Sequence, residues 1–410
     1  MEHFITEIRI DKLRHLSDLT ITLNPEHRQH LMVTGKNGSG KTSLLLEMRK
    51  YLRAINDGKL NTLSDKYVPW LLKAEENMEN SKSEEDKYSA EKEYHKWLGR
   101  IQEYQDGVEL SFHGVRELDT LYAKGDFVTA YFPANRRTQI VRAQGVEQVE
   151  LSQAYPVDSD PAKLLHKYMV HLKTQQSYAR NEGDLEVADR IQRWFDRFVG
   201  ALRILLDSSE LDLEYDYRQY DFKIHEPGRT PFTLEELSDG YSSVIYIVSD
   251  LILRMDRNWI LGDGLSEYDL EGIVLIDELE THLHIELQKK IMPFLTEFFP
   301  RLQFIITTHS PYILNSISNA KAYDLERCIE LENLALYSAD GLSEAYFEAD
   351  EYSEELKGKF ERYQLLKKKE KLTEDERAER ARLRLELKNI PRGLSPEAYE
   401  RFEAIEGRGL

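Results

Sequence analysis

The sequence predicts an α/β fold built on a mixed sheet, with a helical lobe and a charged helical C-terminal extension. Two apolar runs predict the sheet. Residues 272–276 (GIVLI) and 304–308 (FIITT) lack the polar alternation of a half-exposed strand, so both of their faces are expected to be covered. A third short run, residues 31–33, leads into a glycine-rich loop and then a helix with Leu44, Leu45, Met48 and Leu52 at helical spacing.

From the N-terminus, Phe4, Ile5, Ile8 and Ile10, then Leu19, Ile21 and Leu23, form two alternating runs that predict two strands separated by the polar stretch 14–18. The helix opening at Thr42 is expected to end where Asn56, Asp57 and Gly58 follow one another. Residues 58–106 alternate in charge and carry Trp70, Tyr88, Tyr94 and Trp97, a pattern of solvated surface helices inserted into a core. Strands should rejoin that core at 108–112 and 127–132. Periodicity through Leu164, Leu165, Tyr168 and Met169, then Trp194, Phe195, Phe198, Leu202 and Leu205, predicts a helical lobe. A hairpin at 211–215 and 220–224 follows it. A further helix starts at Ser238 or Asp239 and carries Val244, Ile247, Val248, Leu251 and Ile252, and another at 287–299 separates the two buried strands. Beyond residue 350 the chain is dense in Lys, Arg and Glu. The expected divisions are 1–57, 58–106 (insertion), 107–158, 159–229 (lobe and hairpin), 230–348 and 349–410 (extension).

The 410 residues include 74 Asp and Glu against 55 Lys and Arg, a formal net charge of −19. That balance argues against binding nucleic acid or an anionic membrane through bulk electrostatics. Cys328 is the single cysteine, which excludes an internal disulfide and a thiolate-rich metal site and fits a reducing compartment, the cytosol. No apolar run approaches the ~20 residues of a membrane span, and the charged N-terminus does not read as a signal peptide.

The chemistry concentrates in three places. Gly35, Lys36, Asn37, Gly38, Ser39, Gly40, Lys41 and Thr42 satisfy G-x-x-x-x-G-K-[ST] between a strand and a helix. Glycines let successive backbone N–H groups turn toward phosphate oxygens at a helix N-terminus, where the dipole also favours anions. Lys41 is expected to reach the β- and γ-phosphates and Thr42 to place its hydroxyl on Mg²⁺, with Ser43 beside it in the helix. Asp277 and Glu278 emerge at the carboxyl end of a buried strand, where ligands of open α/β sheets bind. Asp277 is the candidate for Mg²⁺ and Glu278 for the general base orienting water. His309 follows the next buried strand and would lie beside Asp277 if the two strands are neighbours, where its imidazole can donate to a γ-phosphate oxygen; a buried structural histidine is the alternative. A rival reading makes Asp277, Glu280, His282, His284 and His309 a transition-metal site. The phosphate loop accounts for the same residues without it.

Residues 237–243 (LSDGYSS) resemble the signature motif of ABC-type ATPases, 274–284 (VLIDELETHLH) their Walker B and D-loop, and 307–311 (TTHSP) the H-loop of the branch holding OLD-family and SMC-like ATPases. The motifs stand in the family's order. The resemblance implies a P-loop ATPase head that dimerises head to head, each ATP lying between one phosphate loop and the other protomer's signature, so that Ser238 and Gly240 act in trans. Lys41, Glu278 and His309 would be catalytic. The family's Q-loop should follow strand 128–132, but no glutamine stands at its head, which leaves Asn135 or Gln139. The stretch between Q-loop and signature is too short for SMC coiled-coil arms, and neither a Toprim nor an HNH nuclease site is visible.

An ATPase head without an effector is similar to the ATPase subunits of Septu and certain retron anti-phage systems, whose nuclease is a separate HNH protein. The expected function is slow, Mg-dependent ATP hydrolysis by a homo-oligomer that regulates a separate effector, with nucleic acid reached through that partner. The alternatives are an SMC-like or repair ATPase acting on DNA, and a nucleotide-sensing scaffold with little turnover. The basic runs 367–371 and 377–384 are diluted by interleaved acids and read as a solvated or partner-packing helix.

Overall fold

The computed structural model describes residues 2–136, 140–261, 269–331, 334–339, 341–342, 354–369, 371–390 and 396–407. The chain opens with Phe4–Leu13 (β1) and Leu16–Thr22 (β2), then His30–Thr34 (β3) and the helix Lys41–Asn56 (α1). β1 and β2 are longer than their apolar runs. They meet at a tight turn, because Arg14 takes a left-handed φ of 55° and Leu13 and Leu16 pair across it. The insertion contributes Val68–Asn80 (α2) and Glu84–Gln102 (α3). Val108–His113 (β4), Leu118–Lys124 (α4) and Phe127–Phe132 (β5) come next.

Leu165–Glu182 (α5) and Leu185–Leu205 (α6) form an antiparallel pair, followed by the hairpin Asp212–Asp216 (β6) and Asp221–His225 (β7). The long helix Asp239–Leu261 (α7) leads to Glu271–Ile276 (β8), Ile285–Phe298 (α8), Leu302–Thr307 (β9), Ala320–Asp324 (β10) and Ile329–Leu331 (β11).

The main sheet has the order β11-β10-β3-β9-β8-β5; β10 and β11 pair antiparallel and every other pair is parallel. A mixed sheet is therefore what the sequence builds. β3, β8 and β9 are buried at all positions, as their unbroken apolar runs predict for strands covered on both faces. A separate antiparallel sheet, β2-β1-β4, lays Ile8, Ile10, Ile21 and Leu110 against α1 residues Leu44, Leu45, Met48 and Leu52, which fixes the helix that follows the glycine loop.

In the helical lobe, Trp194 and Phe198 stack at 5.5 Å and Tyr168 meets Trp194 edge-on at 5.8 Å. Asp256 of α7 is fully buried beside the Tyr168 hydroxyl and the Trp194 indole. Burial pushes its carboxyl up to about 7, against the partial pull of those two donors. The folded state thus holds a proton that the unfolded chain releases near pH 4. The contribution of Asp256 to stability is therefore largest below that value and is lost as pH rises toward 7. Urea midpoints from pH 4.5 to 7.5 are expected to decline in the wild type and to flatten in Asp256→Asn; an equal slope in both would remove Asp256 as the cause.

Residues 338–410 form a second compact unit. Its helices Glu354–Lys368 (α9), Glu374–Lys388 (α10) and Pro396–Glu406 (α11) bury Phe360, Tyr363, Leu366, Leu387 and Phe402 in a core of their own. Thr373 and Glu376 close a capping box at the start of α10. Much of the basic charge is spent internally: Arg362 pairs with Glu379 and Arg384 with Glu406, each at 2.7 Å.

Candidate active site

The phosphate loop hangs between β3 and α1. At Gly35 the backbone has φ 129°, and a Cβ there would lie 2.9 Å from Ser39 Oγ and 3.0 Å from Asp324 Oδ1, so only glycine fits. Gly40, with φ 101°, caps α1 in the left-handed region. The first turn of this 16-residue helix therefore aims its unpaired N–H groups into the loop. Asn37 and Gly38 are exposed, Ser39 and Ser43 are buried, and Thr42 is exposed at the helix start. The buried Lys41 side chain donates from Nζ to the carbonyl oxygens of Gly35 at 2.7 Å and Lys36 at 3.1 Å. Its pKa is lowered by burial, while Glu278, Glu280, Asp277 and Asp324 pull the other way.

β8 and β9 are direct neighbours, so Asp277, Glu278 and His309 leave the same edge of the sheet. The Asp277 N–H extends the ladder to Phe132 O at 2.8 Å. Asp277 Oδ1 accepts from Thr307 Oγ1 at 2.6 Å and from Thr42 Oγ1 at 3.3 Å. Thr307 Oγ1 in turn accepts the Glu278 N–H at 2.7 Å. One hydroxyl thus ties both carboxylate residues to β9. Glu278 takes a left-handed φ of 44°, uncommon for a side chain of its size, and its Oε2 accepts from Thr281 Oγ1 at 3.3 Å.

The His309 backbone N–H donates to Glu280 Oε1 at 2.5 Å, so Glu280 braces the H-loop. Burial and the nearby Lys41 ammonium lower the His309 pKa, against the pull of Glu280 and Glu278, which favours a neutral ring. Ser39 Oγ, Glu280 Oε2 and His309 Nε2 are buried without a hydrogen-bond partner. Orphaned polar atoms around an anion-binding loop fit a phosphate-bearing ligand that supplies their partners. Thr42 and Asp277 offer two protein oxygens, the small number that suits Mg²⁺ shared with phosphate and water. Among the described residues no group of three or more His, Cys, Asp and Glu side chains is arranged to hold a metal ion.

The structure thus brings together Lys41, Thr42, Asp277, Glu278 and His309. It does not bring Gly240 to them: a Cβ at 240 would lie 2.5 Å from His282 O, so this glycine packs on the D-loop of its own chain. Ser238 is exposed just before α7. Of the Q-loop candidates, Asn135 is exposed and Gln139 lies outside the described residues. Sequence reasoning missed Thr307 and Arg136. Arg136, one residue beyond Asn135, is 5% exposed and donates to the carbonyls of Asp277, Glu278 and Leu279. Its one sequence signal is a pair of arginines directly behind a buried strand.

A family model described as "AAA domain, putative AbiEii toxin, Type IV TA system" matches residues 158–315. The Septu protein PtuA of Bacillus mycoides is 35% identical over 130 residues, 32% of this chain and 16% of that protein. Part of the chain is thus similar to the Septu protein PtuA and to retron probable ATPases. The retron Ec83 probable ATPase of Escherichia coli is 34% identical over 91 residues, 22% of this chain and 16% of that protein. The retron Vc95 probable ATPase of Vibrio cholerae is 42% identical over 84 residues, 20% of this chain and 16% of that protein. The matches to these Septu and retron proteins therefore span about a sixth of each relative's own length. A solved SMC head bound to the C-winged helix domain of ScpA aligns over 78% of this chain and 93% of that one, at 12% identity and a TM-score of 0.37. No helix among the described residues is long and apolar enough to cross a membrane.

Proposed function

We propose that the chain is a Mg-dependent ATP-binding and hydrolysing head that dimerises around ATP and regulates a separate effector, a nuclease, in bacterial anti-phage defence. The observation that carries the reading is the convergence of Thr42 on Asp277 at 3.3 Å, beside a buried Lys41 and the two unpartnered atoms His309 Nε2 and Glu280 Oε2. Similarity of part of the chain to the Septu protein PtuA and to retron probable ATPases supports the defence setting.

Within that reading each residue has a task. The loop N–H groups and Lys41 hold the phosphates, and Thr42 and Asp277 would hold Mg²⁺, which supplies charge neutralisation when bound. Glu278 orients the attacking water and accepts its proton, His309 donates from its ring to the transferred phosphoryl group, and Glu280 and Thr307 keep His309 and the carboxylates in place. Ser238, exposed just before α7, would meet a nucleotide held by a second protomer. The effector is taken to be an HNH-type nuclease, and nucleic acid is reached through it. The chain is read as cytoplasmic.

Light scattering of the purified chain with and without Mg-ATP, alongside phosphate release, tests this. Expected are slow phosphate release and a larger particle when ATP is present. An unchanged particle with steady release would leave an ATPase that does not assemble around nucleotide; absence of both would remove the reading.

A further inference from the structure

Arg136 has no place in the mechanism above, yet it is among the most committed side chains of the site. Its Nε donates to Ser243 Oγ at 3.0 Å, Nη1 to Pro133 O at 3.1 Å and Asp277 O at 2.6 Å, and Nη2 to Glu278 O at 3.1 Å and Leu279 O at 3.3 Å. A buried guanidinium is costly unless its donors are matched, and here the planar fork is used on all three nitrogens. Burial lowers its pKa to about 10, so it is charged at neutral pH.

The acceptors reveal the purpose. Three successive carbonyls, 277 to 279, point at one group only if the backbone curls, and the curl includes the left-handed Glu278. Strained backbone of this kind persists where the surroundings over-determine it. Of the other two bonds, one holds Pro133 O and one reaches Ser243, one turn into α7. A cavity of about 420 Å³ bordered by Arg136, Leu237, Asp239, Ser242 and His282 gives the start of α7 space on that side.

We propose that Arg136 is a positioning residue that holds the 277–279 backbone in its curled form and ties it to the signature helix through Ser243, so that displacement of α7 is transmitted to Glu278. The inference rests on the ATPase reading for its kinetic consequence. In a dimer that shares two nucleotides, the link joins one protomer's own site to the signature it offers its partner.

The full-length wild type, Arg136→Lys, Ser243→Ala and the double variant are compared by ATP turnover, affinity for a fluorescent ATP analogue, and backbone hydrogen exchange without nucleotide. Expected for Arg136→Lys are near-unchanged affinity, kcat lower by about tenfold or more, and faster exchange at the amides of Asp277, Leu279 and Thr281. Ser243→Ala should show the same pattern at smaller amplitude, and the double variant should be no worse than Arg136→Lys alone. Wild-type turnover and exchange in Arg136→Lys would overturn the proposal. So would affinity and kcat falling in parallel, the mark of a general packing role, while strict additivity in the double variant would sever the link to α7. If the wild type releases no phosphate, the ATPase reading fails, and the exchange data still decide whether Arg136 holds the loop.

Discussion

Glu278→Gln is expected to leave ATP binding intact and to cut phosphate release by about 10²- to 10⁴-fold, the range lost when a general base is removed. The substitution is nearly isosteric and keeps an oxygen for the Thr281 hydroxyl. The Glu278 N–H bond to Thr307 and the carbonyl bond to Arg136 belong to the backbone and survive. What is lost is the negative, proton-accepting oxygen. With chemistry blocked, any assembly formed around ATP should outlive that of the wild type, seen by light scattering after dilution into ATP-free buffer. Wild-type release by the variant would move the base elsewhere, with Glu280 the next carboxylate in line.

Lys41→Ala is expected to weaken nucleotide binding by about 10²-fold or more, since it deletes the one ammonium placed to neutralise the phosphates in a partly buried site. Without nucleotide the same side chain donates to the Gly35 and Lys36 carbonyls. Its charge acts on Asp277, Glu278 and Glu280 together with that of Arg136. Binding of a fluorescent ATP analogue is the primary readout, and affinity within threefold of wild type would show that the loop does not use Lys41 for phosphate.

The elements that bury both faces were legible because their chemistry is one-dimensional: an unbroken apolar run such as 272–276 admits no half-exposed strand, and β8 is buried throughout. The phosphate loop was legible because its glycines answer to backbone geometry, which the sequence writes directly. Thr307 was not, since a threonine at the end of a buried strand is ordinary until the two carboxylates beside it are seen in space. Arg136 was harder to read for a sharper reason. The family pattern asks for a glutamine side chain facing the nucleotide there, whereas the structure places next to Asn135 a cation facing backbone carbonyls, and arginine is a residue that composition rules assign to the surface. The motif glycine at 240 gives the converse lesson, because close packing on His282 already demands glycine there whatever the residue does for a second protomer.

The strand order carries a final consequence. β3, which delivers the phosphate loop, and β8, which delivers the carboxylates, are not adjacent; β9 lies between them. Two inter-strand steps amount to about 10 Å. The sheet therefore acts as a gauge block, setting the width of the gap in which, on the proposed function, a triphosphate and its counter-ion would fit, while Thr307 at the end of the middle strand pins the carboxylate wall through its hydroxyl. A rewired chain that paired β3 directly with β8 would keep every motif and lose the room in which they meet.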